Sequence, residues 1–266
     1  MLQSWQKEEF IMQLDNHHVL ITGGTSGIGL AFAKRFIKHG SEVLAVDYSQ
    51  ENIDRATAEV PALKTYKADL SNAEARQQLA DWVADNFSDL DIILNDAGIQ
   101  HWVNFNHLTH DWAWYHQELA INLEAQLHLT LLFLPMITAA PNGAVINVSS
   151  GLVINPGAWV PIYAASKAGV HAFTETLRLQ LEDLPTHVFE ILPPAVDTSL
   201  GGESIHSYGS NLDEFADAVF DQLLNDEPEI TFSTSQEQLH ADKKANQQQT
   251  VANWHLFKDN PTFKNA

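Results

Sequence analysis

Tyr163 and Lys167 stand four residues apart in "PIYAASKAGVHAF", 161–173, an Ala-rich stretch with helical composition. Side chains at i and i+4 share a helical face, so the phenol and the ammonium are expected to be neighbours. A phenol ionises near pH 10, and bringing that to neutrality takes about 4 kcal/mol of preferential stabilisation of phenolate. A nearby ammonium favours the phenolate by the opposite-charge effect. The spacing therefore fits a proton-transfer device and also an ordinary surface contact, and the rest of the chain has to decide between them.

A second group of residues could hold a phosphate. "TGGTSGIGLAFAKRF", 22–36, carries glycines at 23, 24, 27 and 29 between a strand-like run and a helix-like one. Glycines placed so allow a tight turn, close approach of a pyrophosphate to backbone and close helix–strand packing, with the helix N-terminus facing the anion. Gly23, Ser26, Gly27, Ile28 and Gly29 are the candidate contacts. Asp47 closes the next strand, eighteen residues beyond Gly29, where a Rossmann unit places a carboxylate that accepts from a ribose and repels a 2′-phosphate. Ser26, Tyr48, Ser49 and Gln50 supply no cation, so NAD is the expected cofactor and NADP the less favoured one.

These groups need a frame, and the chain supplies one. Runs rich in aliphatic and β-branched residues fall at 18–22, 42–47, 63–68, 91–95, 144–149, 188–192 and 229–232, with helix-length segments between them. That alternation predicts an α/β protein: a single-domain Rossmann fold, its doubly wound parallel sheet of about seven strands covered by helices on both faces. Residues 1–14 read as an N-terminal extension, 15–232 as the domain and 233–266 as a polar, peripheral arm, partly helical at best. Residues 72–87 have amphipathic spacing behind a cap at Ser71 or Asn72.

Composition narrows the partners. The 266 residues are 45% hydrophobic and 18% charged, and 14 basic against 34 acidic residues give a net charge of −20, which disfavours nucleic acid and acidic membranes. The longest apolar run, 129–137, contains Pro135 and falls short of the roughly 18 residues of a membrane span. No cysteine is present, so disulfides, thiolate catalysis and Cys-bound zinc are excluded. The N-terminus lacks a secretory pattern, and cytoplasmic residence is the expectation.

Beyond the glycine loop and "YAASK" at 163–167, the chain carries "DL" at 69–70, "NDAG" at 95–98, "IN" at 121–122 and "NVSS" at 147–150. In this order the motifs resemble those of the short-chain dehydrogenase/reductase family, in its single-domain branch. The stretch 147–173 and "PPAVDT" at 193–198 are similar to the DltE-type oxidoreductases within it. The resemblance implies roles for matching positions: Tyr163 as proton donor or acceptor, Lys167 as its electrostatic partner, Ser150 as the hydroxyl holding the substrate oxygen and Asn122 as the residue positioning a relay water. It also implies that Asp69 and Leu70 flank the adenine, that Asn95, Ala97 and Gly98 pass beside the cofactor, and that Val196 and Thr198, with Tyr163 and Lys167, meet its nicotinamide end. A homodimer or homotetramer is implied likewise. Two departures stand out: Asp96 replaces the family's usual second Asn, and Pro194 the usual Gly.

The substrate is expected to be a small-molecule secondary alcohol or carbonyl compound, turned over with NAD. An NADP-dependent carbonyl reductase, a nucleotide-sugar epimerase or dehydratase, and a catalytically silent dinucleotide sensor are the competing readings. The segment 101–117 gathers His101, His107, His110 and His116 among tryptophans without a metal-binding pattern, so aromatic packing and no metal site is the expectation. The Gly- and Ser-rich 198–215 reads as a substrate lid, with Leu152, Trp159 and Tyr208 as walls.

Overall fold

The computed structural model describes residues 12–202 and 205–266. Seven strands, β1 (His18–Thr22), β2 (Glu42–Asp47), β3 (Lys64–Lys67), β4 (Ile92–Asn95), β5 (Ala144–Val148), β6 (His187–Leu192) and β7 (Glu229–Thr231), form one parallel sheet in the order β3-β2-β1-β4-β5-β6-β7. Alternate residues of each strand face opposite cores, which explains the near-continuous apolar runs. Val19 and Ile21 join Phe32 and Phe36 of helix α1 (Gly27–Lys38), Ala56 of α2 (Gln50–Glu59) and the apolar face of α7 (Leu212–Leu224). Leu20 and Ile93 join Leu79 of α3 (Ala73–Asn86), Phe133 of α5 (Ala125–Ala139) and Leu177 of α6 (Pro161–Gln180). Between α3 and α5 lies α4 (Trp112–Leu119).

Three local readings differ from expectation. Residues 1–11 lie outside the described residues, but Met12 and Leu14 of the expected extension are buried in the first core. Pro135 does not end α5: it lacks the N–H that would bond the carbonyl of Leu131, a residue on the exposed side of the helix. The helical run Trp112–Ala139 is thus long and apolar enough to cross a membrane by length and composition, yet its Leu129, Phe133 and Ile137 are packed inside the second core. The arm is the third difference. It forms α8 (Thr234–His240), α9 (Lys243–Phe257), capped by Asp242 on Ala245 N–H, and α10 (Pro261–Lys264), and its Trp254, Phe257 and Phe263 pack with Trp159 and Val160. It is a wall of the molecule's working end, not a peripheral tail.

Candidate active site

Strand order reverses beside β1, and a crevice opens outside the carboxyl ends of the strands at such a point. A cavity of about 660 Å³ lies there, running from Asp47 and Asp69 past Gly23 to Ser150, Tyr163 and Trp159. At one end the glycine loop is held by two requirements that only glycine meets. Gly23 has φ +70°, and a Cβ there would stand 3.0 Å from Ala97 Cα. A Cβ on Gly29 would stand 2.5 Å from the Gly23 carbonyl oxygen and 2.8 Å from Asp96 Oδ2. Ser26 is the N-cap of α1 with its side chain outside the capping hydrogen bonds, and no acidic residue occupies the first turn, so the helix N-terminus stays receptive to an anion.

Ser26, Gly27, Ile28, Asp47, Asp69, Leu70, Ala97, Gly98, Val196 and Thr198 line the cavity. Asp47 is fixed there by Thr25, whose hydroxyl donates to Oδ2 at 2.5 Å, and by Ser49 N–H on Oδ1 at 2.8 Å. This cradle, with a carboxylate at the ribose end, fits a dinucleotide. Asn95 departs from expectation: its side chain is wholly buried and donates to Thr130 Oγ1 and Asn147 Oδ1, tying β4 to β5 and α5 away from the cavity wall. Gly29 also lies behind the wall, where its role is to let loop and helix close.

The helix that carries Tyr163 and Lys167 starts at Pro161, whose fixed φ suits a first helical position. Both side chains point into the crevice and are buried. Lys167 Nζ donates to the Val148 carbonyl at 2.8 Å and lies 5.7 Å from the centre of the phenol ring. Ser150 enters from the end of β5. Its hydroxyl oxygen accepts from Leu152 N–H at 3.1 Å, which leaves its proton for another acceptor, and the phenol is its neighbour across the cavity. Asn122 is placed differently from expectation. It sits in a π-helical turn, Ala120–Glu124, behind the wall, with Oδ1 accepting from Ile99 N–H and Nδ2 donating to Ile99 O and Ser166 Oγ. Its amide thus clamps the loop after β4.

Burial pushes the Tyr163 phenol up, the neighbouring Ser150 hydroxyl resists, and the Asp96 and Glu118 carboxylates push it further. Burial lowers the Lys167 ammonium to about 8, against the pull of Asp96, Glu118 and Glu190. An ammonium so weakened, and already bonded to Val148, does not by itself produce the phenolate. Burial raises Asp96 to about 7, with Lys167 and the Gly29 N–H opposing. It raises Glu118 to about 8, with the His101 N–H and Lys167 opposing.

His101 and His110 stack on Trp114 at 4.0 and 3.9 Å, which is the aromatic packing expected. Elsewhere His171, Glu190 and Glu229 bring three possible ligand atoms within 4.8 Å of one another, but Glu190 is already bonded to Ser149 and His171.

The family described as short chain dehydrogenase matches residues 17–208. The chain belongs to that family. An oxidoreductase of Bacillus subtilis named DltE, described as uncharacterized, is 36% identical over 83% of this chain and 89% of its own. A short chain dehydrogenase from Burkholderia cenocepacia, solved in complex with NADP, has TM-score 0.77 at 24% identity and covers 90% of this chain and 99% of its own. One from Burkholderia phymatum, solved with NAD, has TM-score 0.74 at 21% identity, covering 83% and 90%. This short-chain dehydrogenase is thus of the oxidoreductase class, and the two solved structures of its fold were obtained with different nucleotides.

Sequence reading missed Glu118, His101, Gln100 and His206. The last three line the cavity, and Glu118 is 1% exposed behind it. A glutamate on a helix ordinarily marks a solvated face, whereas this one is buried, with Oε1 accepting from His101 N–H. The raised Asp96 carries a prediction. It ionises near neutrality beside the α1 N-terminus, so its charge should oppose a pyrophosphate as pH rises. NADH affinity should fall about three- to tenfold between about pH 6 and 8, and Asp96→Asn should flatten that slope. Titration by fluorescence checks it; equal slopes in both proteins would remove Asp96 from this role.

Proposed function

We propose that this short-chain dehydrogenase interconverts a secondary alcohol and a carbonyl compound, with NAD as the preferred cofactor and Tyr163 as the general acid/base. One observation carries the reading: the phenol, the Ser150 hydroxyl and the Lys167 ammonium meet at one end of a cavity whose other end is the glycine cradle. When bound, the nicotinamide supplies or accepts the hydride. Ser150 donates a hydrogen bond to the substrate oxygen, strengthening as negative charge develops there. Tyr163 gives that oxygen its proton in reduction and takes it back in oxidation. Lys167 keeps a positive charge behind the phenol while it is ionised.

Nicotinamide-coupled turnover of a panel of neutral secondary alcohols and ketones tests the reaction class. No turnover with any of them, under either nucleotide, would remove it. The preference for NAD rests on Asp47 and on the cavity's cations: among the described residues lining it, Lys167 is the only lysine or arginine, and it lies at the opposite end from Asp47. NADH should bind at least about tenfold more tightly than NADPH, and Asp47→Ala should narrow the gap, read by energy transfer from tryptophan. One contact favours the NADP reading instead. Arg55 of α2 donates to Asn52 Oδ1 at 2.8 Å, and Asn52 lines the cavity beside Tyr48. Tighter NADPH that weakens in Arg55→Ala would decide for that reading.

A further inference from the structure

The C-terminal arm borders a second, open space. A cavity of about 570 Å³ lies between Trp102, Tyr208 and the end of α9, where Leu256 and Phe257 face it. Tyr208 lines this space and the dinucleotide cavity alike, so the two are neighbours across one side chain. The partition between them is aromatic: Trp159, a wall of the first, stands 6.3 Å from Trp102 and 4.1 Å from Phe257, ring centre to ring centre. Tyr208 and Leu256 remain largely exposed, which leaves an apolar surface on the route from one space to the other. No charged side chain lines the second space among the described residues.

Charge points the same way in the first cavity. Its lining carboxylates are Asp47, Asp69 and Asp96, and Lys167 is engaged behind Tyr163. At the substrate end the polar groups are instead neutral. Burial lowers the imidazoles of His101 and His206, and each leaves a buried Nδ1 with no partner in the protein. An anionic substrate would find a single cation, Lys167, behind Tyr163 and already bonded to Val148, and a neutral one would meet hydrogen-bonding groups and apolar walls.

We infer that the Trp102–Tyr208–Leu256–Phe257 space is a substrate subsite built by the C-terminal arm, and that the substrate is an uncharged, elongated alcohol or ketone whose apolar tail occupies it. The inference rests on the alcohol–carbonyl reading above for the reacting end. A dinucleotide held between Asp47 and Thr198 would leave the end at Tyr163 for the reacting group. Tyr208 is where a longer body crosses into the second.

Methyl ketones from butanone to a dodecanone, assayed against the holoenzyme, test the subsite. kcat/KM should rise with chain length by up to about three- to fourfold per added methylene until the space is filled. A terminal carboxylate on the long ketone should cost about tenfold or more. Leu256→Asp, at an exposed position, should collapse the ratio of long-chain to short-chain kcat/KM, whereas Val251→Asp, exposed on the same helix outside the space, should preserve it. Decanamide, which cannot react, gives a second readout: it should alter tryptophan fluorescence, and Trp102→Phe should diminish the change. Ketone turnover without chain-length dependence, or with dependence surviving in Leu256→Asp, would overturn the subsite and leave the reaction class standing. Decanamide binding that needs Leu256 without turnover of any ketone would uphold the subsite and overturn the reaction class.

Discussion

Tyr163→Phe is expected to lower kcat for ketone reduction by about a thousandfold, near 4 kcal/mol in barrier, while leaving the Kd for NADH within about twofold. The substitution removes the exchangeable proton and keeps the ring, which is 6% exposed against Trp159 and Val160. Its stability cost should be no more than about 1 kcal/mol, that of a single hydrogen bond. The wild-type pH profile gives a second check. Burial and the Asp96 and Glu118 carboxylates hold the phenol protonated, so reduction, which needs the proton, should be steady through neutrality. It should decline as Lys167 loses its charge at about 8. Oxidation needs the phenolate and should instead rise with pH. Stopped-flow turnover in both directions distinguishes them, and a Tyr163→Phe enzyme with undiminished kcat would eliminate the phenol as acid/base.

The elements that position this chemistry were legible because their signals are local. β1 and β2 match their expected spans, the other strands lie within a residue or so of theirs, and Asn72 does cap α3, accepting from Glu74 and Ala75 N–H. Each rests on alternation or capping, which a few neighbouring residues determine. Side-chain direction is less local. The motif at 95–98 locates a loop beside the cavity, but the pleat of β4 turns Asn95 inward, and the π turn does the same to Asn122. The arm was misread for a related reason. α9 has no fully buried residue and no apolar stripe to mark it, and its Trp254 and Phe257 gain meaning only where the chain returns to Trp102 and Trp159. Glu118 is the sharpest case, since nothing in "HQELAIN" separates a buried carboxylate from a solvated one.

Lys167→Met should abolish the chemistry and, unlike the phenol change, should destabilise the fold in a pH-dependent way. Lys167 is 2% exposed and lies within electrostatic reach of Asp96, Glu118 and Glu190. Asp96 is raised to about 7 and Glu118 to about 8, so each binds its proton more tightly folded than unfolded. Groups raised in this sense contribute stability that is complete below their unfolded pKa values near 4 and is lost as pH climbs through the folded ones. The ammonium limits that loss by favouring both carboxylates when charged; without it their folded pKa values rise further and the loss continues over a wider range. At about pH 5 both are protonated in the fold, and the variant should lie within about 1 kcal/mol of wild type. By about pH 8 it should trail by about 3 kcal/mol, the scale of an uncompensated buried charge. The general self-repulsion of an acidic chain is common to both proteins and cancels in the difference. Urea midpoints at the two pH values measure this, and adding Asp96→Asn and Glu118→Gln to Lys167→Met should recover the alkaline stability without recovering turnover. A deficit of equal size at both pH values would mean that Lys167 supports the fold by packing and its bond to Val148, and not by balancing the carboxylates around it.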